Sequence, residues 1–517
     1  MRVHTTKGHV IGTEEDSGVT VFKCIPYAAQ PVGELRWAPP REHKPWTKDL
    51  HASEFGPACP QPEIDLGDGT PPITNMKEEC LYLNVWTTGQ GKSDKPVMVW
   101  IHGGAFRIGE GATAMYDGTK LAQMGAVVVT FNYRLGHLGF FAHPALHQDK
   151  SAKDVPANFG LLDQIAALKW VRDNIAGFGG NSGNVTIFGE SAGASSVLAL
   201  FAAPGAAGLF DKGIAQSPYA IPEYRRDQAA QLGQFVAEHV WGCGANPTLA
   251  ELRKVDEEMF KQKMFTPPGG VPAPVPSLAP VAVVDHVVLH DKVRNVFAKG
   301  PTHPAKLMIG SNSNEQTVAQ LFDLNPQILF LILGTPRILE YHQLYLKDPD
   351  TDQENLEAQL AGLIMRDLMF TMQSRWTATQ QIAAHASLPA YWYYFSYVPA
   401  LLSENEQWQD GVPHGGEIMF PFQTLPPSFP AKDHQMAAKI SEYWFTFARD
   451  GVPTSSTAAI RTWPPFTPTS DAILKLGDPI ENQQGFRKAL LNLAVEDYPK
   501  LEAAIEALRS LPPQSRR

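Results

Sequence analysis

A sharp turn between a strand and a helix is the feature that most constrains the fold of this 517-residue chain. Residues 184–197 read NVTIFGESAGASSV, with the pentapeptide Gly189-Glu190-Ser191-Ala192-Gly193 at the centre. The β-branched run before it predicts a buried strand, and the small residues after it predict a tightly packed helix. Glycine two positions before and after Ser191 allows a turn that lifts the Ser191 hydroxyl off the strand end. The pattern therefore predicts a nucleophile elbow.

The pentapeptide alone also allows two other interpretations. It occurs as a glycine-rich turn without chemistry, and it also occurs as a turn that binds phosphate at the start of the helix. The strand before the motif and the helix after it are the context that a nucleophile elbow requires.

Strands and helices alternate along much of the sequence. Val97–Ile101 and Ala126–Phe131 are short, continuous apolar runs, as in strands that are covered on both faces. Phe159–Ile175 has helical periodicity, and the glycine at Gly177 predicts the end of that helix. The alternation predicts an α/β fold with a mostly parallel central sheet and helices on both faces. Glycines in the first twenty residues predict antiparallel hairpins before that sheet.

We expect residues 1–517 to form a single domain, because large α/β enzymes often use this length for one domain with insertions. Two regions interrupt the alternation and predict insertions near 220–300 and 318–390. Thr266–Val281 is dense in proline and predicts a surface loop, whereas Leu321–His385 has a helical pattern. In an enzyme such insertions cap the active site and shape the substrate pocket, although packing alone also explains them.

Composition and charge exclude several classes of partner. The net charge of −10 argues against nucleic acid or an anionic membrane surface. A run of about 18 apolar residues is absent, so no membrane span is expected.

The first 24 residues contain no apolar signal region, which predicts a cytoplasmic protein, or a secreted one if the chain starts at a mature N-terminus. The four cysteines are too scattered for a zinc site, and no metal or cofactor is predicted.

A serine nucleophile needs a base, and the base needs an orienting acid. In hydrolases of this layout the chain order is serine, acid, histidine. His414 lies in the turn-rich segment 410–417, where it is either this base or a solvated loop residue. Glu315 lies just past the predicted strand Lys306–Ile309, where α/β folds place functional side chains. An acid that caps the start of a helix is the alternative for Glu315.

A second glycine-rich loop directly follows the predicted strand Val97–Ile101. This loop, His102-Gly103-Gly104-Ala105-Phe106, allows its backbone N–H groups to approach a substrate oxygen closely. Together with the N–H of Ala192, these groups predict an oxyanion hole. An ordinary glycine turn is the alternative, but the pairing of this loop with the pentapeptide is specific.

Segments along nearly the whole chain resemble the type-B carboxylesterases, the cholinesterase-like branch of the α/β hydrolases. Cys24–Ala28 is similar to the G-I-P-Y-A segment of that family, with cysteine in place of its glycine. The other similar segments are Phe55–Gln61, Glu78–Val85, His102–Phe106, Phe188–Ser195, Val412–Glu417 and Tyr443–Gly451.

This resemblance implies an α/β-hydrolase fold, three kinds of site residue and no cofactor. The implied sites are a catalytic triad of Ser191, Glu315 and His414, oxyanion donors at Gly103, Gly104 and Ala192, and a disulfide between Cys59 and Cys80. Gln316 replaces the glycine that usually follows the acid in the family.

The expected function is that of a serine carboxylic-ester hydrolase, which acts on small to medium esters through an acyl-enzyme. Hydrolysis of amides, carbamates or polyesters by the same triad is the alternative, followed by a non-catalytic binding module of the same fold. Pro60–Glu79 contains no aromatic residue to hold a quaternary ammonium, which argues against choline esters. The missing signal region favours a bacterial-type intracellular esterase over a secreted lipase. Activity is expected to fall below the ordinary histidine pKa of about 6.5. The sequence carries no indication of the oligomeric state.

Overall fold

The computed structural model describes residues 1–63, 72–89, 93–147, 151, 154–262, 264–265, 273–274, 281–301, 303–316, 318 and 326–510. The strands are β1 (Arg2–Thr5), β2 (Gly8–Glu14), β3 (Thr20–Pro26), β4 (Leu50–Ala52), β5 (Tyr82–Thr87), β6 (Lys95–Ile101), β7 (Val127–Phe131), β8 (Gly180–Glu190), β9 (Lys212–Gln216), β10 (Tyr224–Arg225), β11 (Met264–Phe265), β12 (Ala273–Pro274), β13 (Val283–Val284), β14 (Lys306–Asn312), β15 (Ala390–Phe395), β16 (Ala472–Leu476) and β17 (Ile480–Gln484). The α-helices are α1 (Thr119–Gln123), α2 (Gly136–Gly139), α3 (Phe159–Asn174), α4 (Ala192–Ala202), α5 (Arg226–Phe235), α6 (Leu249–Leu252), α7 (Val293–Lys299), α8 (Pro326–Leu333), α9 (Thr335–Tyr345), α10 (Leu356–Arg366), α11 (Met372–Ala384), α12 (Ala431–Asp450) and α13 (Lys488–Ser510).

One large sheet runs through the described residues in the order β1-β2-β3-β5-β7-β6-β8-β9-β14-β15-β16-β17, with β4 beside β2. From β7 to β16 the neighbouring strands are parallel. The strands before β7 pair antiparallel along the path to it, and β17 pairs antiparallel with β16. The predicted parallel centre and the predicted antiparallel start are both confirmed, and they belong to one sheet.

Alternate residues of β6 show why its sequence is continuously apolar. Val97, Val99 and Ile101 are buried in the core on one face of the sheet, together with residues of α3 and α4. Met98 and Trp100 are buried in the core on the other face, together with residues of α12. Both faces of the strand are therefore covered by helices, as expected for a central parallel strand. The predicted fold class is confirmed.

The end of helix α3 differs from its prediction. The helix ends at Asn174, a 3₁₀ turn follows over Ile175–Phe178, and Gly179 caps it in the left-handed region at φ +87°. The prediction of Gly177 as the cap was wrong, because the tighter 3₁₀ turn carries the chain two residues further. Strand β8 consequently begins at Gly180, five residues before the predicted β-branched run that starts at Val185.

Two insertions depart from the sheet on the side where the parallel strands end. Helices α5, α6 and α7 lie between β9 and β14, and α8 to α11 lie between β14 and β15. The helical pattern predicted over Leu321–His385 is confirmed for α8 to α11, and residues 319–325 lie outside the described residues. Most of the loop predicted at Thr266–Val281 also lies outside them, apart from β12 and Val281. None of the described helices is both long and apolar enough to cross a membrane.

Candidate active site

Ser191 occupies the turn between β8 and α4 in a backbone conformation that L-residues rarely adopt, at φ +57° and ψ −121°. The end of β6 packs directly against this turn. A Cβ atom on Gly189 would lie 2.5 Å from the carbonyl oxygen of Ile101, and one on Gly193 would overlap the same oxygen. The backbone N–H of Ser191 donates to the carbonyl of Gln216 on the neighbouring strand β9 (2.9 Å). Neighbouring strands thus hold the turn in place, and both glycines are needed for it to fit.

The glycine-rich loop after β6 lies against the nucleophile turn. A Cβ atom on Gly103 would lie 3.2 Å from Cβ of Ser191 and 2.8 Å from Oε2 of Glu190. Gly104 has φ +101°, and a side chain there would overlap the carbonyl oxygen of Ile108. The close approach of the loop to Ser191 therefore depends on the missing side chain of Gly103, and the fold of the loop itself depends on that of Gly104.

The imidazole of His414 is fixed by a buried acid. Its Nδ1 lies 2.5 Å from Oε2 of Glu315, and the other carboxylate oxygen accepts the backbone N–H of Asn312 at 2.6 Å. Asn312 is the last residue of β14, and a bridge between Asn314 and Pro413 joins the acid loop to the histidine loop. Glu315 is completely buried. The structure thus brings together an acid and an imidazole that are 99 residues apart in the chain.

Two further carboxylates, which the sequence reasoning did not assign, lie in the same buried cluster. Oε1 of Glu190 lies 3.1 Å from Nε2 of His414. Glu417 accepts hydrogen bonds from the side-chain amides of Asn312 and of Gln216, the latter at 3.0 Å. Glu190 lies inside the pentapeptide and Glu417 three residues after His414, so proximity to the motifs was the signal that pointed to them.

These carboxylates raise the pKa of the histidine. Burial by itself lowers the pKa of His414, but Glu190, Glu315 and Glu417 outweigh that effect and raise it to about 9. Burial raises the pKa of Glu190 to about 8, against the opposing influence of His414. Burial also raises the pKa of Glu417. The cluster therefore holds the pKa of His414 above the ordinary value of histidine.

Outside this cluster, the structure joins Cys59 and Cys80 by a disulfide, with their Cα atoms 5.0 Å apart. Among the residues that the structure describes, no group of three or more His, Cys, Asp or Glu side chains is arranged to hold a metal ion.

The model of the carboxylesterase family matches residues 1–330 and 335–494 of the chain. The chain belongs to the carboxylesterase family. This family membership, the α/β-hydrolase fold and the predicted class of carboxylic-ester hydrolase are confirmed.

Curated relatives and solved structures agree with this assignment. The carboxylesterase is 34% identical to the fumonisin B1 esterase of Sphingopyxis macrogoltabida over 514 residues, covering 93% of this chain and 87% of the relative. It is also 34% identical to the para-nitrobenzyl esterase of Bacillus subtilis, covering 90% of this chain and 92% of that one. A solved structure of a PNB esterase superposes with a TM-score of 0.77 at 31% identity, covering 96% of this chain and 99% of the other.

Proposed function

We propose that this carboxylesterase cleaves small carboxylic esters through an acyl-enzyme formed on Ser191. His414 acts as the general base and Glu315 as the acid that orients it. The observation that carries the proposal is the position of Ser191 on a turn that only flanking glycines permit, directly after Glu190. The carboxylate of Glu190 lies 3.1 Å from Nε2 of His414, whose Nδ1 is held by the buried Glu315.

In the first half of the reaction, His414 takes the proton of the Ser191 hydroxyl as the oxygen attacks the ester carbonyl. A bond forms between Oγ and the acyl carbon, and the carbonyl oxygen becomes an oxyanion. The N–H groups of Gly103, Gly104 and Ala192 stabilise that charge. The bond to the alkoxy oxygen then breaks, and His414 returns the proton to the leaving alcohol.

In the second half, water takes the place of the alcohol. His414 removes a proton from the water, which attacks the acyl carbon and forms a second oxyanion in the same hole. Collapse breaks the bond between the acyl group and Ser191, and the proton returns to Oγ. Glu315 keeps the N–H of Nδ1 pointed at itself throughout and stabilises the imidazolium that forms in each half.

Residues 1–517 are proposed to act as a single domain in which the insertions near 220–300 and 318–390 shape the substrate pocket. The continuous sheet from β1 to β17 supports the single domain. Helices α7 and α11, one from each insertion, contribute residues to a pocket that also includes Ser195, one turn after the nucleophile.

A fluorophosphonate probe tests the proposal, because it labels only a serine that is activated as a nucleophile. We expect stoichiometric label on Ser191 in the native protein and loss of both label and ester hydrolysis in Ser191→Ala. Ser403→Ala, which changes an exposed serine, serves as the matched control and should keep both. Absence of label from the native protein, or equal labelling of Ser191→Ala, would contradict the proposal and indicate a non-catalytic module.

A further inference from the structure

A narrow pocket lies along the face of helix α4 that carries the nucleophile. Ser195 and Leu198 of α4 line one side of it, together with Phe106 from the loop after β6. The space open to the centre of a water-sized group is about 40 Å³, enough for a small polar group but not for a bulky ring. The lining also includes Arg294 of α7 and Tyr498 of α13. The pocket therefore leads from the nucleophile helix to a cationic side chain.

Arg294 is held between two aromatic rings. Its guanidinium carbon lies 3.8 Å from the ring centre of Trp376 and 4.0 Å from that of Tyr498. Nη1 donates a hydrogen bond to Oε1 of Gln373 at 2.6 Å. Both terminal nitrogens, Nη1 and Nη2, also lie 3.9 Å from Sδ of Met372. The two rings and these contacts hold the guanidinium in place. Among the described residues the Nε–H has no hydrogen-bond partner, so the edge formed by Nε and Nη2 is the surface for a ligand.

The second cation of this wall, Lys292, provides a comparison. Lys292 forms ion pairs with Glu502, at 2.8 Å, and with Glu506. Among the residues that the structure describes, Arg294 forms no ion pair with a carboxylate. Lys292 is thus neutralised within the protein. Arg294 is instead held by two rings, an amide and the Met372 sulfur, with Glu502 acting on it only at longer range.

The chemistry of this wall favours an anionic group with two oxygens. An oriented guanidinium edge matches a carboxylate, which accepts two parallel N–H bonds. Burial lowers the pKa of Arg294 to about 10, which shows that its charge has lost part of its hydration. Glu223 also lines the pocket, and burial raises its pKa to about 7, so its own negative charge is reduced at neutral pH.

We propose that this pocket binds a free carboxylate carried by the ester substrate, with Arg294 as its partner. The inference rests on the proposed function, since it assigns a substrate class to the same active site. The carboxylate belongs either to the acyl part or to the alcohol part of the ester, and the recognition chemistry is the same for both.

The test compares each acidic ester with a carboxamide of the same shape. For the acyl part, monoethyl adipate is paired with ethyl 6-amino-6-oxohexanoate. For the alcohol part, 2-(butanoyloxy)acetate is paired with 2-(butanoyloxy)acetamide. For each pair the ratio of kcat/KM, acid over amide, is measured in the native protein, Arg294→Gln and Arg294→Lys. Arg172→Gln is the control, because it removes the same charge from an exposed, ion-paired site on α3.

We expect Arg294→Gln to lower the ratio about 10- to 100-fold for one of the two pairs, mainly through KM. Arg294→Lys keeps the charge but not the planar guanidinium, so its ratio should lie between that of the native protein and that of Arg294→Gln. Arg172→Gln should keep the native ratio. The ratio compares two substrates of one variant, so a partly misfolded preparation does not change it. The retained fluorophosphonate label on Ser191 checks that the variant is folded.

An unchanged ratio in Arg294→Gln for both pairs would overturn the inference, as would an equal fall in Arg172→Gln. Neither result would contradict the proposed function, because that function depends on Ser191 and not on Arg294. Failure of the proposed function would instead appear as ester hydrolysis that persists in Ser191→Ala.

Discussion

The nucleophile turn and the Arg294 pocket are two parts of one candidate site that are built in different ways. The turn owes its shape to glycines within two residues of Ser191 and to the strand end beside it. The pocket needs Arg294, Trp376 and Tyr498, which come from three helices that are distant in the chain. The comparison teaches that the residues proposed for bond breaking lie in short motifs, whereas those proposed for substrate selection are brought together by long-range packing. Changes in one part should therefore leave the signature of the other part intact.

The largest effect is expected from Glu315→Gln. The amide cannot stabilise an imidazolium and favours the wrong tautomer of His414, so kcat should fall by about 10⁴-fold. The ratio of kcat/KM, acidic ester over its carboxamide, should remain that of the native protein for both substrate pairs, because Arg294 is unchanged. Steady-state kinetics on both substrates check this expectation. A fall in kcat of less than about tenfold would remove Glu315 from the proposed triad.

A smaller but still large loss is expected from Gly193→Ala. The new Cβ would overlap the carbonyl oxygen of Ile101, so the turn has to shift and Ser191 moves with it. A displacement of about 1 Å at the reacting atom costs roughly 10²-fold in rate. Gly205→Ala is the control, because its Cβ would meet only Ile165, at 3.5 Å. Equal kcat/KM in the two variants would show that the turn is not shaped by local fit.

Glu190→Gln is expected to change the pH dependence more than the maximum rate. Glu190 raises the pKa of His414, and the base is active only when deprotonated, so kcat/KM falls on the acid side of that pKa. The native acid limb should therefore lie above the ordinary value of about 6.5, and the variant limb should move to lower pH by about one unit. The pH profile of kcat/KM measures both. Glu14→Gln changes an exposed acid and should leave the acid limb of the profile at its native pH. If the acid limb of Glu190→Gln also stayed at the native pH, Glu190 would not raise the pKa of His414.

The smallest effect is expected from Trp376→Leu, which removes one of the two rings stacked on Arg294. Loss of a cation–π contact should lower the acid-over-amide ratio about three- to tenfold, less than Arg294→Gln does. The fluorophosphonate label on Ser191 reports separately on the nucleophile turn. If Trp376→Leu lowered the labelling rate and spared the ratio, the separation of the two regions would be wrong.

The local motifs made the main features of the site predictable. The order of Ser191, Glu315 and His414 along the chain and the loop at Gly103 and Gly104 were predicted from short segments. The structure packs the Gly103 loop against Ser191, and it joins Glu315 to His414, whose Nε2 lies 3.1 Å from Glu190 of the nucleophile turn. The continuously apolar runs likewise predicted the parallel centre of the sheet, because such runs occur in strands with both faces buried.

Other features depend on packing that the sequence does not display. Helix α3 is followed by a 3₁₀ turn over Ile175–Phe178, which is capped by Gly179 and not by the predicted Gly177, since both glycines are compatible with a helix end. Arg294 sits among ordinary helical residues, and its stacking partners lie on α11 and α13. A lone arginine on a helix is usually a solvated residue, so no pattern in the sequence distinguished it.

The position of Tyr498 has a consequence for the order in which the enzyme becomes complete during synthesis. The proposed triad and oxyanion loop are all translated once the ribosome has passed His414. Helix α13, which supplies Tyr498 and Glu502 to the pocket wall, is translated after every strand of the sheet. A nascent chain therefore carries the proposed bond-cleaving residues before it carries the wall proposed to select the substrate, so on this proposal selectivity is the last property that translation adds.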